Sequence, residues 1–254
     1  MYEILFQYGS VTLTTFNALL VVGFLMGSVF MVRFAQFKKL SLRFLVNRLF
    51  WFVPAALLGG RLAYLAEHFD FYAHSPLSML YVWDGGYSAF GVFYMTMGLL
   101  AYFCHRDHED FWAWLDAFVL AGLVGLFFIH LGHFFGGTEY GRPTDLPWGI
   151  AFDTFNIPFL TPLHPAQLYS ALATFAVFNV GMLTAKRTHL VGVAGTLVIM
   201  LYSLSAFGID FFHGEPSMVV KISHGVIASL GFIFHIHCTH RKLLSGQHLP
   251  PSNV

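Results

Sequence analysis

The sequence predicts an all-α membrane protein: a bundle of about seven transmembrane helices in one integral membrane domain, residues 1–254. Three observations predict it. The chain is 57% hydrophobic and only 10% charged, with a mean hydropathy of +0.66, whereas a soluble domain carries about 25% charged residues. Long stretches lack any Asp, Glu, Lys or Arg, and a helix needs about 20 apolar residues to cross a bilayer core. The runs are uninterrupted, unlike the short alternating strands of a membrane barrel. This composition argues against a soluble enzyme, a disordered chain or a solenoid. Thirteen basic residues balance thirteen acidic ones, so no global field favours nucleic acid.

The charge-free stretches are, in order, 11–32, 85–104, 117–138, 166–185, 190–209 and 222–240. A further span over 44–66 is apolar but holds Arg48 and Arg61. In the resulting seven-span arrangement Arg33, Lys38, Lys39, Arg43, Arg106, Lys186, Arg187, Arg241 and Lys242 fall on one side. Basic residues mark the cytoplasmic side, so the N-terminus is expected outside and the C-terminus inside. Glu3, Glu67, Asp70, Asp84, Glu139, Asp145, Asp153 and Glu215 then lie outside. The opening MYEILFQYGS has neither a basic n-region nor a small-residue cleavage site, so no cleavable signal peptide is expected. Cys104 and Cys238 end spans on the inner side and read as reduced thiols. The two long loops, 67–84 and 139–165, are both external, and long loops tend to be functional.

Polar groups within spans are costly and usually face the protein interior. Arg61, after Gly59 and Gly60, reads either as a cation snorkelling to the interface or as a fork for a lipid phosphate. Asp116, beside Trp112 and Trp114, reads as a charge near a helix N-terminus. His130 and His133, one helical step apart, share a face near the outer end of their span. They fit acid–base chemistry, contact with a polar substrate, or packing. A metal site needs three or more ligands, and His164 or Asp210 would supply a third only if the fold brought them close, so no metal is expected. Asp210 and His213 close the next-to-last span, where Asp210 could orient an imidazole from another helix. His224 reads as interfacial, and His235, His237 and His240 as anchors at the membrane edge.

The segment HLGHFFGGTEYGRPTDLPWGI, 130–150, is the most informative. Gly136, Gly137 and Gly141 end a helix. Arg142, Pro143, Asp145 and Pro147 then form a polar turn-rich loop from which Arg142 can reach a phosphate headgroup, specifically or not.

At these residues the chain resembles the prolipoprotein diacylglyceryl transferases. EYGRPTDLPWGIAF (139–152) is similar to the end of that family's signature, and LHPAQLY (163–169) to its HPSQLYE block. VWDGGYS (82–88), ALLGGRLAY (56–64), VVGFLMG (21–27) and FGIDFF (207–212) also fit, in the family's order and across nearly the whole chain. The resemblance implies a multi-pass protein of the bacterial cytoplasmic (inner) membrane with no cofactor. Its reaction would transfer the diacylglyceryl group of phosphatidylglycerol to the cysteine thiol of a lipoprotein precursor bearing a lipobox signal peptide. Membrane lipids are then its surroundings and nucleic acid no partner.

The resemblance also exposes departures. Against the family's GRIGNFINGELYGR stands IHLGHFFGGTEYGR (129–142), so His130 replaces an Arg, His133 an Asn and Thr138 a Glu. Phe90 stands for a His, Ala206 for an Arg and Leu20 for a Tyr. Arg61, Gly141, Arg142, His164, Gln167, Tyr169 and Tyr202 are retained, and Asp210 keeps a carboxylate. The implied roles are a base from His130 or His133, an imidazole-orienting group in Asp210 or Tyr202, and a lipid site of Arg61, Gly141, Arg142, His164 and Gln167. Two other readings stay open: a paralogue with a changed acceptor or headgroup chemistry, and a non-catalytic protein that binds lipid or a partner.

Overall fold

A computed structural model of the protein describes residues 4–8, 11–74, 76–81, 85–152, 161–214 and 218–245. Glu3, Asp84, Asp153 and Glu215, expected outside the membrane, lie beyond the described residues. The chain opens with a hairpin, β1 (Ile4–Tyr8) and β2 (Val11–Thr14), then α1 (Thr15–Phe37), α2 (Leu42–Glu67) and a short α3 (Phe69–Ala73). A 3-10 turn (Pro76–Leu80) leads to α4 (Ala89–Asp107), α5 (Phe111–Gly136), α6 (Ala166–Arg187), α7 (Val193–Ile209) and α8 (Met218–Ser245).

The helical class is as expected, with five helices among the described residues long and apolar enough to cross a membrane: α1, α2, α5, α6 and Val220–His240 within α8. The 17-residue α7 is apolar but shorter, about 25 Å at 1.5 Å per residue against a core of about 30 Å. The first span corrects the reading from 11. Val11-Thr12-Leu13-Thr14 alternates apolar and β-branched polar residues, a strand pattern, and pairs with β1 as Phe6↔Leu13, Gln7↔Thr12 and Tyr8↔Val11. Helix α1 begins only where the Thr14 hydroxyl accepts the Asn17 amide at 3.2 Å, a cap for an otherwise orphaned donor.

The chain forms two compact units, Ala35–Leu115 and Met1–Phe34 with Asp116–Val254. In the first, α2 and α4 meet backbone to backbone. A Cβ at Gly59 would lie 2.6 Å from the Gly91 carbonyl oxygen, and one at Gly91 would meet the Gly59 oxygen and, at 2.5 Å, the Ala63 Cβ. Small residues permit such close approach between membrane helices. Gly91→Val is therefore expected to push the helices apart and cost several kcal/mol, in the range of severe overpacking. A fall in the thermal midpoint of the detergent-solubilised protein measures it. Farther along the same pair, Arg48 clamps Asp107 through Nε and Nη2, both at 2.7 Å, over the face of Phe103.

The second unit packs α1 on α5, where a Cβ on Gly23 would lie 2.9 Å from Phe128 Cβ and one on Gly27 3.0 Å from the Ala121 oxygen. Helix α7 packs against both α6 and α8. Asp116 has a sharper role than a charge on its own helix. Only 2% exposed, it accepts the amides of Gly192 at 2.8 Å and Gly195 at 2.6 Å. It thereby caps the start of α7, where orphan donors and the helix dipole both favour a carboxylate. Gly192 takes φ +82° there, a left-handed conformation natural to glycine.

Candidate functional site

Helix α5 ends in the second unit at Gly136, and Gly137 turns the chain with φ +64°. The following loop is held by main chain on both sides. The Gly141 amide donates to the His164 oxygen at 2.9 Å, and the His164 amide returns to the Arg142 oxygen at 2.9 Å. On the other edge the Arg142 amide donates to the Phe212 oxygen at 2.8 Å, and the Gly214 amide to the Tyr140 oxygen at 3.3 Å. The segment 140–143 is thus threaded between the lead-in to α6 and the end of α7. Gly141 is required at the crossing, since a Cβ would stand 2.6 Å from the His164 oxygen and 2.7 Å from the Phe212 oxygen. Leu163, fully buried, ties down the far side through paired bonds with Ile150 at 3.0 and 2.9 Å.

On this platform Arg142 is exposed and anchored by one bond, Nε to the His213 oxygen at 3.1 Å. A guanidinium fixed through Nε presents its two terminal nitrogens as a fork, the geometry that matches phosphate. His164 Nδ1 lies 3.1 Å from the Tyr169 hydroxyl, which also accepts the Trp148 indole N–H at 2.9 Å. Gln167, 1% exposed, donates Nε2 to the Thr138 oxygen at 2.7 Å, while its buried Oε1 finds no partner among the described residues. Gln167 thus fastens the α5–loop junction to α6.

His130 Nε2 lies 3.3 Å from the Tyr202 hydroxyl, so α5 and α7 share a half-buried polar contact at the position where the resemblance expects an Arg. His133 Nδ1 is 2.7 Å from Thr138 Oγ1, and its Nε2 is 3.8 Å from Glu139, beyond hydrogen-bond length. The two residues that depart from the family pattern at 133 and 138 therefore bond to each other. The ring of His133 packs on Phe16 at 4.9 Å. His130 is within electrostatic reach of His133, Glu139 and His213, and Tyr202 within reach of Asp210 and Glu139, so these groups form one neighbourhood.

Asp210 orients an imidazole, but that of neither His130 nor His133. Its Oδ2 bonds Nδ1 of His224 on α8 at 2.8 Å, and its Oδ1 stands 3.7 Å from His213 Nδ1. His224, read from sequence as merely interfacial, is the residue that reading missed. The available signal was the position of Asp210 and His224 at the facing ends of consecutive apolar runs, which a short connection must bring together. Among the described residues no group of three or more His, Cys, Asp and Glu converges on a metal position.

Arg61 belongs to the other unit and has different company. It is 5% exposed, and its Nη1 donates to the oxygens of Gly85 at 2.6 Å and Gly86 at 3.3 Å. Its Nη2 donates to those of Ser78, Met79 and Tyr81 at 3.3, 3.4 and 3.2 Å, and Tyr72 stacks beneath it at 5.5 Å. This is neither snorkelling nor an open fork. The guanidinium gathers the oxygens of Ser78, Met79, Tyr81, Gly85 and Gly86 around itself, satisfying carbonyls that would otherwise be orphaned. Gly86 lets the loop come this close, since a Cβ there would be 2.9 Å from Nη1.

The sequence model of the prolipoprotein diacylglyceryl transferase family matches residues 3–239. A phosphatidylglycerol–prolipoprotein diacylglyceryl transferase of Geobacter sulfurreducens is 31% identical over 227 residues, covering 87% of this chain and 85% of that protein. The one of Azospirillum brasilense is 30% identical over 237 residues (90% and 84%), and that of Synechococcus sp. strain CC9902 is 30% identical over 216 residues (81% and 77%). The match runs from the hairpin through α1–α7 into α8 and takes in the pinned Gly141–Arg142 segment, so this chain belongs to the prolipoprotein diacylglyceryl transferase family.

Proposed function

We propose that the protein transfers the diacylglyceryl group of phosphatidylglycerol to the cysteine thiol of a lipoprotein precursor with a lipobox signal peptide, in the bacterial cytoplasmic membrane. The relatives bear the name of this activity over most of their length, which favours it over a changed acceptor or a purely binding role. The observation that carries the reading is Arg142. It is an exposed fork, held by its Nε on a main-chain crossing that only glycine at 141 permits.

The reaction has two physical demands. The sulfur must be activated, because a free Cys thiol has a pKa of about 8.5 and attacks as the thiolate. The departing phosphate must be stabilised as the carbon–oxygen bond breaks, which positioned charge-assisted donors do best where water is excluded. Arg142 supplies such donors. Gly141 sets its place, His164 and Gln167 brace the loop, and the His130–Tyr202 and His133–Thr138 pairs provide polar contacts for the glyceryl part. Seven crossings, N-terminus outside and C-terminus inside, would set this loop at the outer leaflet. The count includes α4 and α7 beside the five longer apolar helices.

Purified protein incubated in detergent with phosphatidylglycerol and a lipobox peptide is expected to add one diacylglyceryl mass to the peptide and release glycerol phosphate. Arg142→Ala should lower the rate by about 10²-fold, the typical cost of removing one such donor. Absence of product, where a family relative run in parallel gives it, would overturn the assignment.

A further inference from the structure

We propose that His224, oriented by Asp210, is the general base that takes the proton from the acceptor thiol. This rests on the transferase reading above and names the residue that starts it. A general base needs an imidazole whose tautomer is fixed, so that one ring nitrogen is held and the other can accept the proton. A carboxylate on Nδ1 does this best, and it also stabilises the imidazolium that forms.

Four imidazoles of the neighbourhood can be compared on that criterion. His130 meets a phenol at 3.3 Å, and His133 meets a hydroxyl at 2.7 Å with its nearest carboxylate at 3.8 Å. His213 stands 3.7 Å from Asp210, and its buried Nδ1 finds no hydrogen-bond partner among the described residues. His224 alone of these four has a carboxylate within hydrogen-bond length, at 2.8 Å. That carboxylate is 5% exposed, so it is poorly screened and its hold on the ring is strong.

The pair also sits where the chemistry requires it. Asp210 ends α7, and the chain passes directly to Phe212 and His213, whose carbonyls receive the Arg142 amide and Nε. The carboxylate that holds the base and the carbonyls that hold the phosphate fork therefore share one short length of main chain, 210–213. The charged groups that meet the Asp210 end of the pair are His213, 3.7 Å from Asp210 Oδ1, and Arg142, which donates to the His213 oxygen, while Lys221, one turn before His224, lies over Phe211.

The step balances without a co-reactant. The thiol proton passes to His224, and the sulfur lone pair forms the new sulfur–carbon bond to the glyceryl carbon. The carbon–oxygen bond breaks with its electrons moving to the phosphate oxygen. The imidazolium then returns its proton to the glycerol phosphate released.

The test compares His224→Ala, His224→Asn and Asp210→Asn with the wild type in the lipobox-peptide assay, with kcat and KM measured separately. Both His224 variants should lose about 10²–10⁴-fold in rate. The Asn side chain can still donate to Asp210 in place of Nδ1, so a merely structural role predicts that His224→Asn keeps its rate. Asp210 acts through His224 as a positioning residue. Its loss frees the ring to take the wrong tautomer, so Asp210→Asn should lower kcat and leave the KM for the peptide unchanged. Wild-type turnover in His224→Asn, or a wild-type kcat in Asp210→Asn, would overturn the proposal while leaving the transferase reading intact. An inactive wild type would overturn both.

Discussion

Asp116→Ala is expected to be among the most damaging single substitutions to stability. The carboxylate is 2% exposed and accepts two amides at 2.8 and 2.6 Å. Its removal leaves both Gly192 and Gly195 donors buried and unpaired, at about 1–3 kcal/mol each. The favourable interaction with the start of α7 goes with them. A thermal-unfolding midpoint lower by about 5–10 °C in detergent is the expected reading for a chain of this size. Asp116→Asn should fall between, because one carbonyl oxygen can still accept one amide while its NH2 group faces the other donor. Equal midpoints for the wild type and the alanine variant would show that the cap contributes nothing.

Gly141→Ala should strike activity and stability together. The added Cβ would meet the oxygens of His164 and Phe212 at 2.6 and 2.7 Å, both of them main chain and unable to swing away. The crossing must widen, and Arg142 moves with it. A displacement of about 1 Å at a positioned catalytic group can cost about 10²-fold. The expected result is a lower melting midpoint, from the strain of widening the crossing, and lipidation of the peptide at about one-hundredth the rate. A wild-type rate in this variant would show that the crossing does not position Arg142.

The helical class was legible because composition reports it directly, and the ends of α5 and α6 follow from glycine and from the Lys186–Arg187 pair. Residues 11–14 were less so: within an apolar run, a strand and a helix start look alike until the Thr14 cap and the pairing with 4–8 are seen. The importance of 130–150 was readable from its glycines and its Arg, but its partners were not. Phe212 and His213 are about 70 residues away and contribute carbonyls, which carry no side-chain signature. Arg61 shows the same limit. A cation within a span was evident, but not its burial, and its partners are five main-chain oxygens that any sequence would supply. Asp116 and Asp210 were visible as charges in apolar surroundings, and their destinations, α7 and His224, depend on packing between helices.

Helix α7 is fastened at each end by an acid: Asp116 of α5 grips its first turn, and Asp210, the residue that caps its far end, grips α8. A rod clamped at both ends can neither slide along its axis nor turn about it without breaking a buried bond. For a protein that must admit a lipid and then a peptide, and let a lipidated product leave, this makes α7 the stationary post. Any door must swing on other hinges.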